Sequence, residues 1–368
     1  MRIAQIGPLY EATPPKLYGG TERVVAYLTD ALVDLGHDVT LFASAEAVTR
    51  ARLVAVRERA IRLDPSPLKS DVAAHLSMLH DVRARAGDFD LLHFHIDLLQ
   101  YPLFESCAQR TVTTQHGRLD LDDLPALYRR WPQYPLISIS DAQRGPLPHA
   151  NWVGTCHHGL PVDLMRFEPR HDGYLAFVGR ISPEKRPDRA IRIAQRAGMR
   201  LVIAAKIDAV DATYFHDCIE PLMKHPGVEF VGEIGDDEKS DLLGHAAALL
   251  FPIDWPEPFG LAMIESMACG TPVIAWACGS VPEIVDDGVT GFVVHSEDEA
   301  VAALAHIDAV DRRTVRSVFE RRFSATAMAQ RYLDVYARVL AQAGAQGSPS
   351  CLGDSPVRPH PRPALSET

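Results

Sequence analysis

The strongest constraint on the fold is the order in which short β-like runs and helical patterns alternate along the chain. "RIAQIG", "DVTLFAS", "DLLHFHID", "TVTTQHG" and "PLISIS" are short and mostly apolar, and amphipathic or apolar helical patterns separate most of them. A second series begins near Tyr174 with "YLAFVGR", "RLVIAAK", "VEFVGEI", "ALLFPI", "TPVIAW" and "TGFVVH". Strands connected through helices run parallel, and a parallel sheet is covered by helices on both faces. Two such series in 368 residues predict two Rossmann-like α/β domains, each with its own core. Open sheets of this kind bind ligands beyond the carboxyl ends of their strands, so facing domains would enclose a central cleft.

The boundary is expected in "HHGLPVDLMRFEPRHDG", where prolines, glycine and charges interrupt the periodicity. This divides the chain into residues 1–165 and 166–345, the latter turning wholly helical after Glu297. Residues 346–368 are rich in proline and polar residues without periodicity and are expected to be a disordered tail. In the first helix, Thr21 is the expected cap, Val24, Val25, Leu28, Ala31, Leu32 and Leu35 form the apolar face, and Gly36 closes it.

Charge and composition narrow the function. Asp and Glu number 48 against 37 Lys and Arg, a formal net charge of −11, which disfavours a broad attraction for nucleic acid. An anion site must be local. The six cysteines include no C-x-x-C pair, which fits a reducing cytosol better than a disulfide framework. The N-terminus reads as a buried strand, not a signal peptide, and no apolar run approaches the roughly 20 residues of a membrane span. The expected location is cytoplasmic.

Two loops could face the cleft. "PPKLYGGTER" puts Gly19 and Gly20 between the first strand and its helix, where backbone N–H groups can approach an anion and the helix dipole favours a phosphate. The pattern is neither G-x-G-x-x-G nor G-x-x-x-x-G-K-[ST], against nicotinamide enzymes and P-loop NTPases. "FVGRISPEKRPD" occupies the same place in the second series. Arg180 and Lys185 could clamp a diphosphate there, with the helix starting near Pro183; the alternative is a basic turn pairing with Glu184 and Asp188.

The segment "DWPEPFGLAMIESMACGTPVIA" supplies a partner for those loops. Pro258 suits a first helical turn, Gly270 and Pro272 stop the helix, and from Phe259 to Ala268 only Glu265 and Ser266 are polar. A helix apolar on nearly all sides is buried, and an unpaired buried carboxylate costs several kcal/mol. Glu265 therefore needs a partner, either a pair of ligand hydroxyls or an internal Arg or Lys. Glu257 precedes the same helix by about 10 to 12 Å at a rise near 1.5 Å per residue. That is roughly the reach from the sugar to the ribose of a nucleotide sugar, with the helix N-terminus between them at the diphosphate.

"GGTER", "QHG", "VGRISPEKR" and "EPFGLAMIESMACGTPVIA" resemble glycosyltransferase family 4, retaining enzymes of the GT-B fold. The last is the most specific, resembling the family signature of two glutamates separated by seven residues. The resemblance implies two Rossmann-like domains, the first on the acceptor side and the second on the donor side, with the final helices returning to the first. It implies that Arg180 and Lys185 hold the donor diphosphate, that Gly19 and Gly20 approach it from the other domain, and that His116 sits beside the transferred sugar. Glu257 would contact sugar hydroxyls and Glu265 the ribose, while Phe259, Gly260 and Leu261 offer backbone N–H groups; Glu233 and Ile234 border the base. The implied reaction moves a sugar from a UDP- or GDP-linked donor to an acceptor hydroxyl, without metal or cofactor. The acceptor would be a sugar, a lipid-linked or a small molecule. A GT-B phosphorylase, a nucleotide-sugar epimerase and a non-catalytic nucleotide-sugar-binding protein are the alternatives.

Three weaker patterns remain. His93, His95 and Asp97 in "HFHID" share one strand face and could hold a metal, or merely line the cleft. "DFD" (Asp88 to Asp90) and "DLD" (Asp120 to Asp122) mimic the metal-binding D-x-D of the other glycosyltransferase fold. The arginines of "TRARLVAVRERAIRL" and "YRRWPQYP" form a solvated basic surface or a peripheral membrane contact, with Trp131 and Tyr134 as anchors.

Overall fold

A computed structural model describes residues 1–17 and 19–345; the expected disordered tail lies outside the described residues. The strands β1 (Arg2–Ile6), β2 (Asp38–Ser44), β3 (Arg52–Arg57), β4 (Leu91–Phe94), β5 (Thr111–Thr114), β6 (Leu136–Ser138) and β7 (Trp152–Thr155) form one parallel sheet in the order β3-β2-β1-β4-β5-β6-β7. A second parallel sheet holds β8 (Tyr174–Arg180), β9 (Leu201–Lys206), β10 (Val228–Gly232), β11 (Ala246–Phe251), β12 (Val273–Trp276) and β13 (Gly291–Val294), ordered β10-β9-β8-β11-β12-β13. The two Rossmann-like domains expected from the alternating pattern are present. Each strand order reverses once, between β1 and β4 in the first sheet and between β8 and β11 in the second. Loops diverge at those switch points and leave a crevice beyond the strand ends.

Two strands were not legible in the pattern. β3 lies inside the arginine-rich stretch, and β7 follows "PLPHAN" with no apolar run. Both are sheet-edge strands without a fully buried residue, so they carry polar side chains and lose the apolar signature of central strands. Arg52 donates to Thr40 on β2 and Arg57 pairs with Asp64, which ties the basic stretch into the sheet edge.

Helix starts also differ from the sequence reading. The first helix, Gly20–Asp34, follows Gly19 with no side-chain cap, and Thr21 lies within its first turn. Chain geometry from the glycine pair, not a hydroxyl cap, sets that start. The helix after β8 runs from Pro187 to Ala197, because residues after Ser182 first make a turn in which Lys185 N–H donates to the Ser182 carbonyl. The helix with Glu265 spans Leu261–Ala268, three residues beyond the start expected at Pro258. Gly260 precedes it with φ +84°, and a Cβ there would lie 2.7 Å from the Met263 methyl and 3.0 Å from the Phe251 ring.

The first sheet is covered by the chain's last described helix, Ala325–Ala345. Its Met328, Tyr332, Val335 and Tyr336 pack with Val24, Leu28 and Leu32 of the first helix and with Ile3 and Leu91 from the sheet. The chain thus passes between domains twice, and the two passes are bonded to each other. Leu160 N–H donates to the Phe323 carbonyl at 2.9 Å, and Ala325 N–H to the Leu160 carbonyl at 2.7 Å. Among the described residues, no helix is long and apolar enough to cross a membrane.

Candidate functional site

A cavity of about 790 Å³ lies between the domains, built from the carboxyl ends of strands on either side of both switch points. Its walls include all ten residues singled out from the sequence: Gly19, Gly20, His116, Arg180, Lys185, Glu257, Phe259, Gly260, Leu261 and Glu265. Glu233 and Ile234 line it too. Neither glutamate faces bulk solvent, Glu257 being 8% and Glu265 5% exposed.

On the second-domain wall each buried carboxylate is matched by one lysine. Lys185 Nζ donates to Glu257 Oε2, which also accepts from the Trp255 indole N–H at 2.9 Å. The same ammonium lies 5.2 Å from the Trp255 ring centroid and 5.6 Å from that of Phe251, so aromatic faces help hold its charge. Gly279 fixes the backbone of this corner. At φ +58°, a Cβ on it would stand 2.4 Å from both the Glu257 N and O, and Ser280 N–H donates to the Glu257 carbonyl. Glu265 Oε1 accepts from Lys239 Nζ at 2.6 Å, and Lys239 lies 3.3 Å from Asp236. Asp236 in turn pairs across the cleft with Arg23 of the first helix. Burial opposes the Arg23 charge, but Tyr27, Glu265 and Asp236 together hold it on and raise its pKa. The internal partner considered for Glu265 is thus Lys239.

Arg180, at the end of β8, pairs with Glu184 and with Asp208 at 3.6 Å. The basic turn does contain the local pair with Glu184, while Lys185 pairs with Glu257 and Asp188 is held by Arg186 and Arg192. Lys206, at the end of β9, adds a further cation to this wall and bonds Asp208 at 3.0 Å. The short helix Leu261–Ala268 opens its first turn onto the cavity between the two glutamates, where its dipole favours negative charge.

The first-domain wall is built around neutral histidines. His116 Nε2 and His95 Nδ1 are 2.8 Å apart, and His95 Nε2 is 2.8 Å from Gln5 Oε1. The Gln5 carbonyl can only accept, so His95 donates through Nε2 and accepts at Nδ1, and His116 donates through Nε2. That leaves His116 Nδ1 with a lone pair and no protein partner among the described residues. The chain continues as Gln5 donates to the Tyr336 hydroxyl at 3.3 Å, Tyr336 to His93 Nδ1 at 2.6 Å, and His93 Nε2 to Thr114 at 2.7 Å. Burial pushes His116 down to about 3 and holds His93 and His95 well below their ordinary value.

Several sequence alternatives end here. His93 and His95 engage both ring nitrogens in protein hydrogen bonds, and with Asp97 they do not form a metal cluster among the described residues. Asp90 binds Arg2 and Asp120 binds Arg118, so neither D-x-D points at the cavity. Tyr134 cannot anchor a membrane: it is 1% exposed and stacks on Tyr101 at 4.4 Å. Trp131 donates its indole N–H to Glu105 and packs at 6.0 Å from Tyr101. Sequence reasoning missed Lys239, Lys206 and Gly279. The acidic first turn "GDDEK" did mark a helix start that could have pointed to Lys239.

Residues 166–322 match the family described as glycosyl transferases group 1, and residues 18–142 match glycosyltransferase family 4. The two matches, each covering less than half of the chain, are both to glycosyltransferases. A Mycobacterium marinum protein named D-inositol 3-phosphate glycosyltransferase is 37% identical over 169 residues, 41% of this chain and 36% of that protein. Its Mycobacterium bovis counterpart is 34% identical over 177 residues, 46% of this chain and 35% of that protein. The match thus spans about a third of the length of these curated relatives. Among solved structures, AviGT4, a glycosyltransferase involved in avilamycin A biosynthesis, aligns with TM-score 0.69 at 24% identity, covering 93% of this chain and 98% of that one. Anabaena HepE in complex with UDP and glucose aligns with TM-score 0.69 at 17% identity, covering 92% and 100%. The fold is therefore GT-B.

Proposed function

We propose that this chain transfers a sugar from a nucleotide diphosphate sugar, UDP- or GDP-linked, to an acceptor hydroxyl with retention of configuration. The observation that carries the reading is the pair of buried carboxylates, Glu257 and Glu265, flanking one helix N-terminus and each neutralised by a lysine. In this reading the ribose hydroxyls bind Glu265, the diphosphate lies against Arg180, Lys185 and the first turn of the helix, and the sugar hydroxyls reach Glu257. His116 offers its Nδ1 lone pair to a hydroxyl of the transferred sugar. HepE, crystallised with UDP-glucose, supports a UDP-hexose as the first donor to try. The D-inositol 3-phosphate named for the curated relatives is one acceptor among those to be tested.

The acceptor hydroxyl attacks the anomeric carbon from the face the nucleotide leaves. The bond from that carbon to the phosphate oxygen breaks, and this oxygen takes the acceptor's proton. Arg180 and Lys185 stabilise the charge growing on the leaving diphosphate, so no metal or cofactor is required. Residues 1–165 form the acceptor side and residues 166–345 the donor side. The test is a panel of UDP- and GDP-sugars, with thermal shift reporting binding and released nucleotide reporting turnover. Binding and turnover in the wild type, with turnover lost in Glu257→Gln and binding kept, supports the reading. Binding without turnover in the wild type makes the chain a sensor, and orthophosphate-dependent release of sugar phosphate makes it a phosphorylase.

A further inference from the structure

The cavity's two walls differ in charge, and the difference bears on what the first-domain wall can accept. Arg180, Lys185, Lys206 and Lys239 all belong to the second domain. On the first-domain wall the cations are Arg23 and Arg62. Arg23 is committed to Asp236, to the Tyr27 hydroxyl at 3.0 Å and to the Leu17 carbonyl at 3.0 Å. Arg62 bonds Glu11 at 3.2 Å and lies 5.5 Å from the Tyr10 ring centroid. The histidines there are neutral donors and acceptors. His75 accepts from Leu9 N–H through Nε2 and donates to the Asp71 carbonyl through Nδ1, as His95 and His116 are engaged above.

Two carboxylates complete that wall. Glu22 is 5% exposed, and its Oε1 accepts from the Glu11 N–H at 3.2 Å. Asp97, just beyond β4, has a carboxylate with no hydrogen bond or ion pair to any described residue, although it borders the cavity. Its backbone sits in the left-handed region at φ +59°. Aspartate tolerates that region at a cost, so something must hold it there. The buried amide of Gln100 does so, donating at 3.0 Å to the Asp97 carbonyl and at 2.9 Å to Thr113. The fold thus clamps a strained residue and leaves its acceptor oxygens for the cavity.

A phosphate monoester carries about −1.5 to −2 at neutral pH and is held by arginine clusters or helix N-termini. The first-domain wall gives it two carboxylates, two arginines held in ion pairs and one helix N-terminus, at Gly19 and Gly20, which the donor reading assigns to the diphosphate. We propose that the acceptor bound here is a phosphate-free polyol or sugar, one hydroxyl of which donates to the Asp97 carboxylate. This rests on the glycosyltransferase reading above and adds the acceptor class to it.

The test uses the full chain saturated with UDP or GDP, whichever binds, so that the donor's diphosphate subsite is filled. Calorimetry then compares matched probes: myo-inositol with inositol 3-phosphate, and glucose with glucose 6-phosphate. The expected result is at least tenfold tighter binding of the unphosphorylated member of a pair, and at least tenfold loss of that affinity in Asp97→Asn, which keeps the left-handed backbone accessible. Asp97→Gly, with no strain at φ +59°, gives the same loss if the asparagine variant does not fold. Equal or tighter binding of the phosphorylated member overturns the proposal, as does binding of neither member or an unchanged affinity in the variants. Failure of the donor reading is separate: it shows as no nucleotide or nucleotide-sugar binding in the first place.

Discussion

The two walls of the cleft are prepared in opposite ways. The second-domain wall is ionic, with Lys185 on Glu257 and Lys239 on Glu265, whereas the first-domain wall presents uncharged imidazoles in a directed hydrogen-bond chain. A paired wall can exchange partners with a charged ligand, because diphosphate oxygens replace the carboxylate and hydroxyls replace the ammonium without stranding a charge. A wall of neutral imidazoles held by hydrogen bonds instead keeps its geometry without competing for the diphosphate. The difference teaches that the ligand-free site avoids unpaired buried charge by internal salt links on one side and by burial-driven deprotonation on the other.

The sharpest way to break this comparison is Lys185→Ala. It removes the proposed leaving-group cation and strands Glu257, so turnover of nucleotide sugar should fall by roughly 10²- to 10³-fold. Stability should also fall, by on the order of 3 kcal/mol for a broken, largely buried pair, which a lowered thermal midpoint would register. Retention of full turnover would remove the lysine from the chemistry. Next in size is Gly279→Ala, which must push the Glu257 backbone out of place. A displacement near 1 Å predicts roughly a 10²-fold loss of turnover while nucleotide binding persists, and unchanged kinetics would show that Glu257 needs no such support.

How much of this was legible follows the same division. The second wall is written largely in two contiguous segments, "VGRISPEKR" and "EPFGLAMIES", in which Arg180, Lys185, Glu257 and Glu265 are visible because charges interrupt otherwise apolar or turn sequence. Lys239 and Gly279 escaped because each acts through a tertiary contact, one across to Glu265 and one against the Glu257 backbone. The first wall is assembled from the ends of separate strands and from the last helix. His93 and His95 therefore left a metal site and a cleft lining both open, because their partners Gln5 and Tyr336 lie far away in sequence. The two α/β series were plain, but the edge strands β3 and β7 were hidden by their polar faces.

The neutral wall makes its own prediction about pH. The native state keeps His93, His95, His116 and His158 unprotonated because of burial, while the unfolded chain takes up protons below about 6.5. Stability should therefore fall as pH drops from 6.5, for His116 down to about 3, at about 1.4 kcal/mol per pH unit for each histidine protonated only when unfolded. Glu22, raised by burial, works the other way, its contribution being lost as pH rises through its folded value. Denaturant midpoints measured between pH 7.5 and 5 check the sign, and a midpoint that rises on acidification contradicts a neutral wall. The smallest expected effect is Tyr336→Phe. It deprives Gln5 and His93 of one shared partner and should cost about 1–2 kcal/mol in denaturant unfolding, with a larger loss pointing to a wider role for the last helix.

The paired passes of the chain at Leu160 and Ser324 have a mechanical consequence. A two-domain protein with one connecting strand can swivel freely, but here both connections are laced together by backbone hydrogen bonds, and Gly159 fits so closely against Ser324 that a Cβ would stand 2.4 Å from its carbonyl oxygen. They form a single fulcrum. Any opening of the cleft turns about that point and works against cross-domain bonds on either side of it, Arg23 with Asp236 and Glu283 with the Asp141 and Ala142 N–H groups.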